Sequence, residues 1–269
     1  MKLKAIVITL SAALIFSGCQ GCNKKDKTAK NIVKIGVIAG PENELMETVK
    51  KVAQEKYGLN LNIVVFNDYM TPNIALNDRS IDANSFQHEP FLEKMVHDRG
   101  LKLVSAGHTF VFPLAAYSRK IRHKDELKPN SKVAIPNDPS NEGRALLLLE
   151  RQGLIELKDA KNLLSEIKDI TKNPLNLTFI TLEAAQLPRA LDDVDLAIIN
   201  TTFAGHAGLA PTKNGLFMEG KDSQYVNIVA VREEDKDAPW VEKLMMSIQN
   251  NDVAKAAETI FQGSAIPGW

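Results

Sequence analysis

The chain has 269 residues, of which 44% are hydrophobic and 25% charged; its 33 basic and 33 acidic side chains leave a formal net charge of +0. This is an ordinary globular composition, long enough for one large domain or two of ordinary size. With no basic excess to neutralise a phosphate backbone, nucleic acid is excluded as a partner.

Lys2 and Lys4 precede an unbroken apolar and small-residue run from Ala5 to Phe16. About a dozen residues cannot span a membrane, which takes roughly 20, and a charged start with a short apolar core describes a signal peptide over residues 1–18. Its exit, Phe16-Ser17-Gly18-Cys19, is similar to a bacterial lipobox, with Phe16 where Leu is usual. Cys19 is therefore the expected site of lipidation, and more than one acyl chain anchors stably where a single chain is marginal. Cys19 and Cys22 form a C-x-x-C, but no strand precedes it and no second pair exists, so redox chemistry has no support. Residues 19–31 are polar and Lys-rich, a flexible tether behind the lipid. Loss of residues 1–18 removes two lysines and leaves a balance of −2. The expected location is the cell envelope, lipid-anchored and facing the periplasm or the exterior.

Strand and helix patterns then alternate. Ile32 to Ile38 is a β-branched run ending in Ala39-Gly40-Pro41, and Leu45, Met46, Val49 and Val52 follow at helical spacing until Tyr57-Gly58. Leu61 to Phe66 reads as a strand, Leu92 to Arg99 as the end of a helix closed by Gly100, and Leu101 to Ala106 as a strand. These are βαβ units on a mainly parallel sheet. The same logic restarts at Val133-Ala134-Ile135-Pro136, after which Asp138 or Ser140 caps a helix with the apolar run Ala145 to Leu149. Strands at Leu177 to Leu182 and Leu196 to Ile199 enclose a helix from Ala184 to Leu191, and two amphipathic helices close the chain around Trp240 to Ile248 and Val253 to Phe261.

Two long β-type stretches, Phe110 to Ser118 and Tyr225 to Arg232, bracket the middle section. The expected fold is α/β with two lobes joined by two crossing strands: residues 32–114 plus 228–269 form lobe 1, and residues 115–227 form lobe 2. Such a fold leaves a cleft at the strand ends, where α/β sheets place their ligands.

Several residues fall where that cleft should lie. Asp82 to His88 brings amide, aromatic and imidazole groups to a strand-to-loop transition, either as a capping loop with one ring in the core or as a ligand surface; Tyr69 sits similarly after the second strand. Asn141-Glu142-Gly143-Arg144 lies in the first turn of a helix, whose free N–H groups and dipole favour an anion. Arg144 is either a solvated side chain or a bidentate partner for a carboxylate. Asn200 follows an apolar strand and Asn227 interrupts one, and each amide must find a partner in backbone or ligand. The five histidines show no metal-ligand spacing, and there is no nucleophile elbow, Walker loop or dinucleotide fingerprint. Asp192, Asp193 and Asp195 read as an exposed helix end. Neither an enzyme, a metal site nor a cofactor is expected.

The segments Gly36-Val37 to Pro41, Asp68-Tyr69, Ile81 to His88, Asp138 to Leu146, Tyr225 to Ile228 and the closing Ala265-Ile266-Pro267-Gly268-Trp269 resemble the NlpA/MetQ family of lipoproteins, in family order. The resemblance implies a two-lobed, type II-like periplasmic binding protein, monomeric, that captures L-methionine, D-methionine or methionine peptides for an ABC transporter permease. It implies a thioether held between Tyr69 and Phe86 with His88 beside them, a carboxylate at Arg144 with Asn141 close by, and amide contacts from Asn200 and Asn227. Thr202 and Phe203 depart from the Asn and Tyr usual in the family, Ser85 from an aromatic and Phe91 from a Tyr. The alternatives are a same-fold binder of another amino acid or small anion, and a surface lipoprotein adhesin.

Overall fold

The computed structural model describes Lys30, residues 32–220 and residues 222–269. The signal peptide, Cys19 and most of the tether lie outside the described residues. The elements in chain order are β1 (Ile32–Ile38), α1 (Pro41–Tyr57), β2 (Asn60–Phe66), α2 (Thr71–Asn77), β3 (Ala83–His88), α3 (Glu89–Arg99), β4 (Leu103–Val111) and β5 (Ala115–Tyr117). There follow β6 (Lys132–Pro136), α4 (Pro139–Arg151), β7 (Glu156–Leu157), β8 (Ile170–Lys172), β9 (Thr178–Leu182), α5 (Leu187–Ala190), β10 (Leu196–Ile199) and α6 (Thr201–His206). The chain ends through α7 (Pro211–Asn214), β11 (Phe217–Met218), β12 (Val226–Arg232), α8 (Pro239–Ile248), α9 (Asn251–Ile260) and β13 (Ile266–Pro267).

The strands form two main sheets, ordered β13-β4-β12-β3-β1-β2 and β11-β5-β10-β6-β9. In the first, β2, β1 and β3 run parallel, and β12 returns antiparallel between β3 and β4. In the second, β10, β6 and β9 are parallel and β5 is antiparallel to β10. The two sheets are the cores of the two lobes. Their apolar strands read as continuous runs because both faces are covered: Val33, Ile35 and Val37 pack under α1, α8 and α9, while Val133, Ile135, Leu196 and Ile198 pack under α4.

The chain passes between the sheets twice, from β4 to β5 and from β11 to β12. The expected single stretch Phe110–Ser118 is broken at Phe112-Pro113-Leu114, so its halves join different sheets. Pro113 has no N–H for a ladder bond and its ring fixes φ, which ends β4 where the chain must change sheet. The expected helix over residues 184–191 is shorter, a single tight turn at Ala184–Gln186 leading into α5. Pro188 sets this limit, since it is tolerated only in the first turn.

Helix ends follow local chemistry. Asp138 caps α4 by accepting from the Asn141 N–H at 3.0 Å, and the His88 ring caps α3 by accepting from the Phe91 N–H at 3.2 Å. The Asp192–Asp195 cluster lies at the surface as expected: Asp192 pairs with Arg119, and Asp195 accepts from the Lys132 N–H at 2.8 Å.

Candidate functional site

A cavity lies between the lobes, and all seven residues proposed from the sequence (Tyr69, Phe86, His88, Asn141, Arg144, Asn200 and Asn227) line it. They converge from the end of β3, the loop after β2, the first two turns of α4, the end of β10 and the start of β12. β3 and β10 present their carboxyl ends there and α4 its amino end, while β12, antiparallel to β3, enters from its amino end.

One end of the cavity is aromatic. The Tyr69 and Phe86 rings stack at 5.7 Å with 30° between planes, Phe91 meets Phe86 edge-on at 6.0 Å, and Phe203 approaches Tyr69 at 4.8 Å from the other lobe. Burial holds the Tyr69 phenol well above its ordinary pKa, so it stays neutral. Ser85 lies outside this cavity and faces a neighbouring one beside Glu42 and Thr109.

The other end is polar, and its hydrogen bonds can be traced atom by atom. His88 accepts at Nδ1, so its proton is on Nε2, which donates to Asn141 Oδ1 at 3.2 Å across the cleft. Burial, aided by the charge of Arg144, pushes the imidazole pKa down to about 3, so His88 is neutral. Asn141 Nδ2 donates to both Asp138 oxygens at 3.0 Å, and Asn141 Oδ1 also accepts from Asn200 Nδ2 at 2.8 Å. Asn141 therefore organises its neighbours and keeps no free group of its own. Gln87 is similarly saturated by Asn73 and Asn84.

Arg144 is buried, with 3% of its side chain exposed. Its Nε and Nη2 donate to the two oxygens of Glu219 at 2.8 and 2.5 Å, Nη2 also donates to the Phe112 carbonyl at 2.9 Å, and the guanidinium carbon stands 4.5 Å from the Tyr225 ring centroid. Neither sequence reading of Arg144 anticipated an internal ion pair. Burial opposes its charge, but the Glu219 carboxylate outweighs this and raises its pKa above the ordinary value. Glu219 also accepts from the Leu114 N–H at 2.9 Å, so the pair ties both inter-lobe passages to the cavity wall.

Three polar groups remain for a ligand. Asn200 Oδ1 is buried without a hydrogen-bond partner, and a buried acceptor left so costs on the order of 1–3 kcal/mol. Arg144 Nη1 and Asn227 Oδ1 make no hydrogen bond among the described residues, although Asn227 Nδ2 donates to the Phe86 carbonyl at 3.2 Å. Such a cavity suits a small molecule with a donor for Asn200, an acceptor for Arg144 and an apolar tail for the rings. Glu219, Tyr225 and Phe112 were not singled out in the sequence. Glu219 sits beside Gly220 in what reads as a charged loop, and only the folded chain brings it to Arg144.

Comparison with known proteins agrees with this geometry. Residues 33–269 match the NlpA lipoprotein family. The D-methionine-binding lipoprotein MetQ of Salmonella typhi is 52% identical over 270 residues, covering 100% of this chain and 98% of the relative. Lipoprotein 28 of Escherichia coli (strain K12) is 50% identical over 273 residues, covering 100% of both. A crystal structure of the methionine-binding protein MetQ superposes with a TM-score of 0.87 at 51% identity, covering 89% of this chain and 98% of that one. A nutrient-binding protein from Burkholderia cenocepacia, solved bound to methionine, superposes with a TM-score of 0.86 at 47% identity, covering 88% of this chain and 100% of the other. With the match extending over both lobes and every strand of the two main sheets, the chain belongs to the NlpA lipoprotein family.

Proposed function

We propose that this protein is an extracytoplasmic solute-binding protein that captures L-methionine between its lobes and delivers it to an ABC transporter permease, making and breaking no bond. The observation that carries this reading is the division of the cavity: the buried, unpartnered Asn200 Oδ1 and the Arg144 guanidinium at one end, stacked rings at the other. An α-ammonium satisfies Asn200, a carboxylate accepts from Arg144 with Asn141 holding Asn200 in place, and Asn227 supplies a further amide. The thioether lies against Tyr69 and Phe86 with His88 beside them, since sulfur at ring edges is a favourable contact. Relatives named or solved as methionine-binding proteins support the ligand class. Lobe 1 is residues 32–114 plus 228–269 and lobe 2 residues 115–227, acting as a monomer. Cys19 carries the lipid that holds the protein at the membrane, and no helix among the described residues is long and apolar enough to cross one.

The test is calorimetric titration of refolded protein lacking residues 1–22 with each enantiomer of methionine. Refolding removes ligand that co-purifies. Saturable one-to-one binding of the L form is expected. Preference for the D form, for which the MetQ relative of Salmonella typhi is named, moves the stereochemistry; silence with both, and binding of another amino acid, removes the methionine assignment.

A further inference from the structure

Arg144 does not offer the cavity a free positive charge. Both oxygens of Glu219 close on its Nε and Nη2, and the two side chains are 3% and 5% exposed. A bidentate pair removed from water in this way acts on a neighbouring ligand as a dipole. The other ionisable groups around the cavity do not restore a cation. His88 is neutral with its proton on Nε2. Asp138 is spent on the α4 amino terminus, Ser140 and the Asn141 amide.

We infer that Glu219 is a specificity-determining positioning residue: by cancelling the charge of Arg144 while leaving Nη1 free, it makes the site select a zwitterionic amino acid over anions that share its carboxylate. A bare arginine in a buried cleft would favour any carboxylate, with a net anion ahead of a zwitterion. The paired arginine still donates to a carboxylate oxygen, but the net attraction for an anion is gone. The buried acceptor Asn200 Oδ1 then adds a requirement for a donor, which the ammonium meets. This rests on the methionine reading above and extends it to how the site rejects other carboxylates.

The experiment compares two ligands on the same protein: L-methionine and its des-amino analogue 4-(methylthio)butanoate, which keeps the thioether and carboxylate and lacks the ammonium. In the wild-type chain L-methionine is expected to bind far more tightly. Glu219→Gln keeps a hydrogen-bonding side chain and removes the negative charge, and should narrow the affinity ratio by roughly tenfold or more, the scale of one charge a few ångströms away. Glu219→Asp, which keeps the charge, should hold the ratio near wild type. If Glu219→Gln weakens both ligands in equal proportion, the residue only supports the fold and the inference is overturned. A second measurement needs no variant: wild-type affinity for the analogue should not weaken with added salt, because no uncompensated cation is present to be screened. Salt-dependent weakening would overturn it equally. Failure of the wild type to bind L-methionine at all is a distinct result, which removes the methionine reading and this inference with it.

Discussion

The Thr202 hydroxyl donates to Glu42 Oε1 at 2.6 Å, and this bond joins the start of α6 in the second lobe to the start of α1 in the first. Its surroundings are close-packed. A Cβ on Gly205 would lie 2.6 Å from Pro41 Cγ, and one on Gly40 would lie 2.1 Å from His206 Cδ2. Glu42 Oε2 is buried without a hydrogen-bond partner. Burial raises the Glu42 pKa to about 8, against the lowering effect of Thr202 and the Ile38 backbone.

That carboxyl makes stability depend on pH with a definite sign. The folded chain keeps the Glu42 proton up to about 8, while the ordinary value for a glutamate is 4.5. The contribution is complete below about 4.5 and is lost as pH rises through about 8. His88 acts oppositely: its pKa is lowered from 6.5 to about 3, so its contribution is intact above 6.5 and lost as pH falls toward 3. Thermal melts of wild type and Glu42→Gln between about pH 5 and pH 8 should differ in slope, with the wild type losing Tm as pH rises and the variant losing less. Parallel curves would show that Glu42 does not titrate in this window.

Arg144→Ala should weaken L-methionine binding by roughly 1.5–3 kcal/mol, on the order of tenfold to hundredfold. It also strands Glu219, which is 5% exposed; breaking such a buried pair from one side costs about 3–5 kcal/mol of stability. Calorimetry reads the first effect and ligand-free denaturant melts the second. Wild-type affinity in a folded variant would remove Arg144 from the ligand site.

Asn200→Ala removes the unpartnered Oδ1 together with the bond to Asn141. L-methionine affinity should fall by roughly tenfold or more, with little change for the des-amino analogue, because only the former carries the donor that Asn200 accepts. Equal losses for both would place the ammonium elsewhere.

Gly205→Ala tests whether the packing of α6 against α1 is needed to hold ligand. The added methyl collides with the Pro41 ring between lobes, while within α6 alanine is the better helix former. Methionine affinity should fall while the ligand-free Tm holds or rises. Unchanged affinity would show that the contact is dispensable for capture.

The lobes were legible where one face of a pattern is complete. The β-branched run Ile32–Ile38 is β1 itself, and Tyr225–Arg232 contains all of β12. Ile35–Ile38 and Ile228–Val231 are buried on both faces of the sheet, so a continuous apolar run is what their burial demands. The seven residues that line the cavity were legible through the family resemblance and through amides and rings placed at strand ends. Glu219 was not: its bonds reach Leu114 and Arg144, 105 and 75 residues away, and nothing local distinguishes it from a loop charge. Glu42 was hidden for the same reason, since Thr202 lies 160 residues on and an acidic residue in a first helical turn is already explained by the dipole.

The strand order has one more consequence. Each main sheet ends on one side in a two-residue strand, β13 against β4 and β11 against β5. Strands so short give an intruding chain almost no template for backbone pairing, which is how natural sheets blunt edge-to-edge aggregation. The C-terminal residues that supply β13 also set the Trp269 ring against Phe110 at 5.0 Å. A truncation that removed them would uncover the Thr109–Val111 end of β4 and leave that edge open to self-association, even with every residue of the ligand cavity intact.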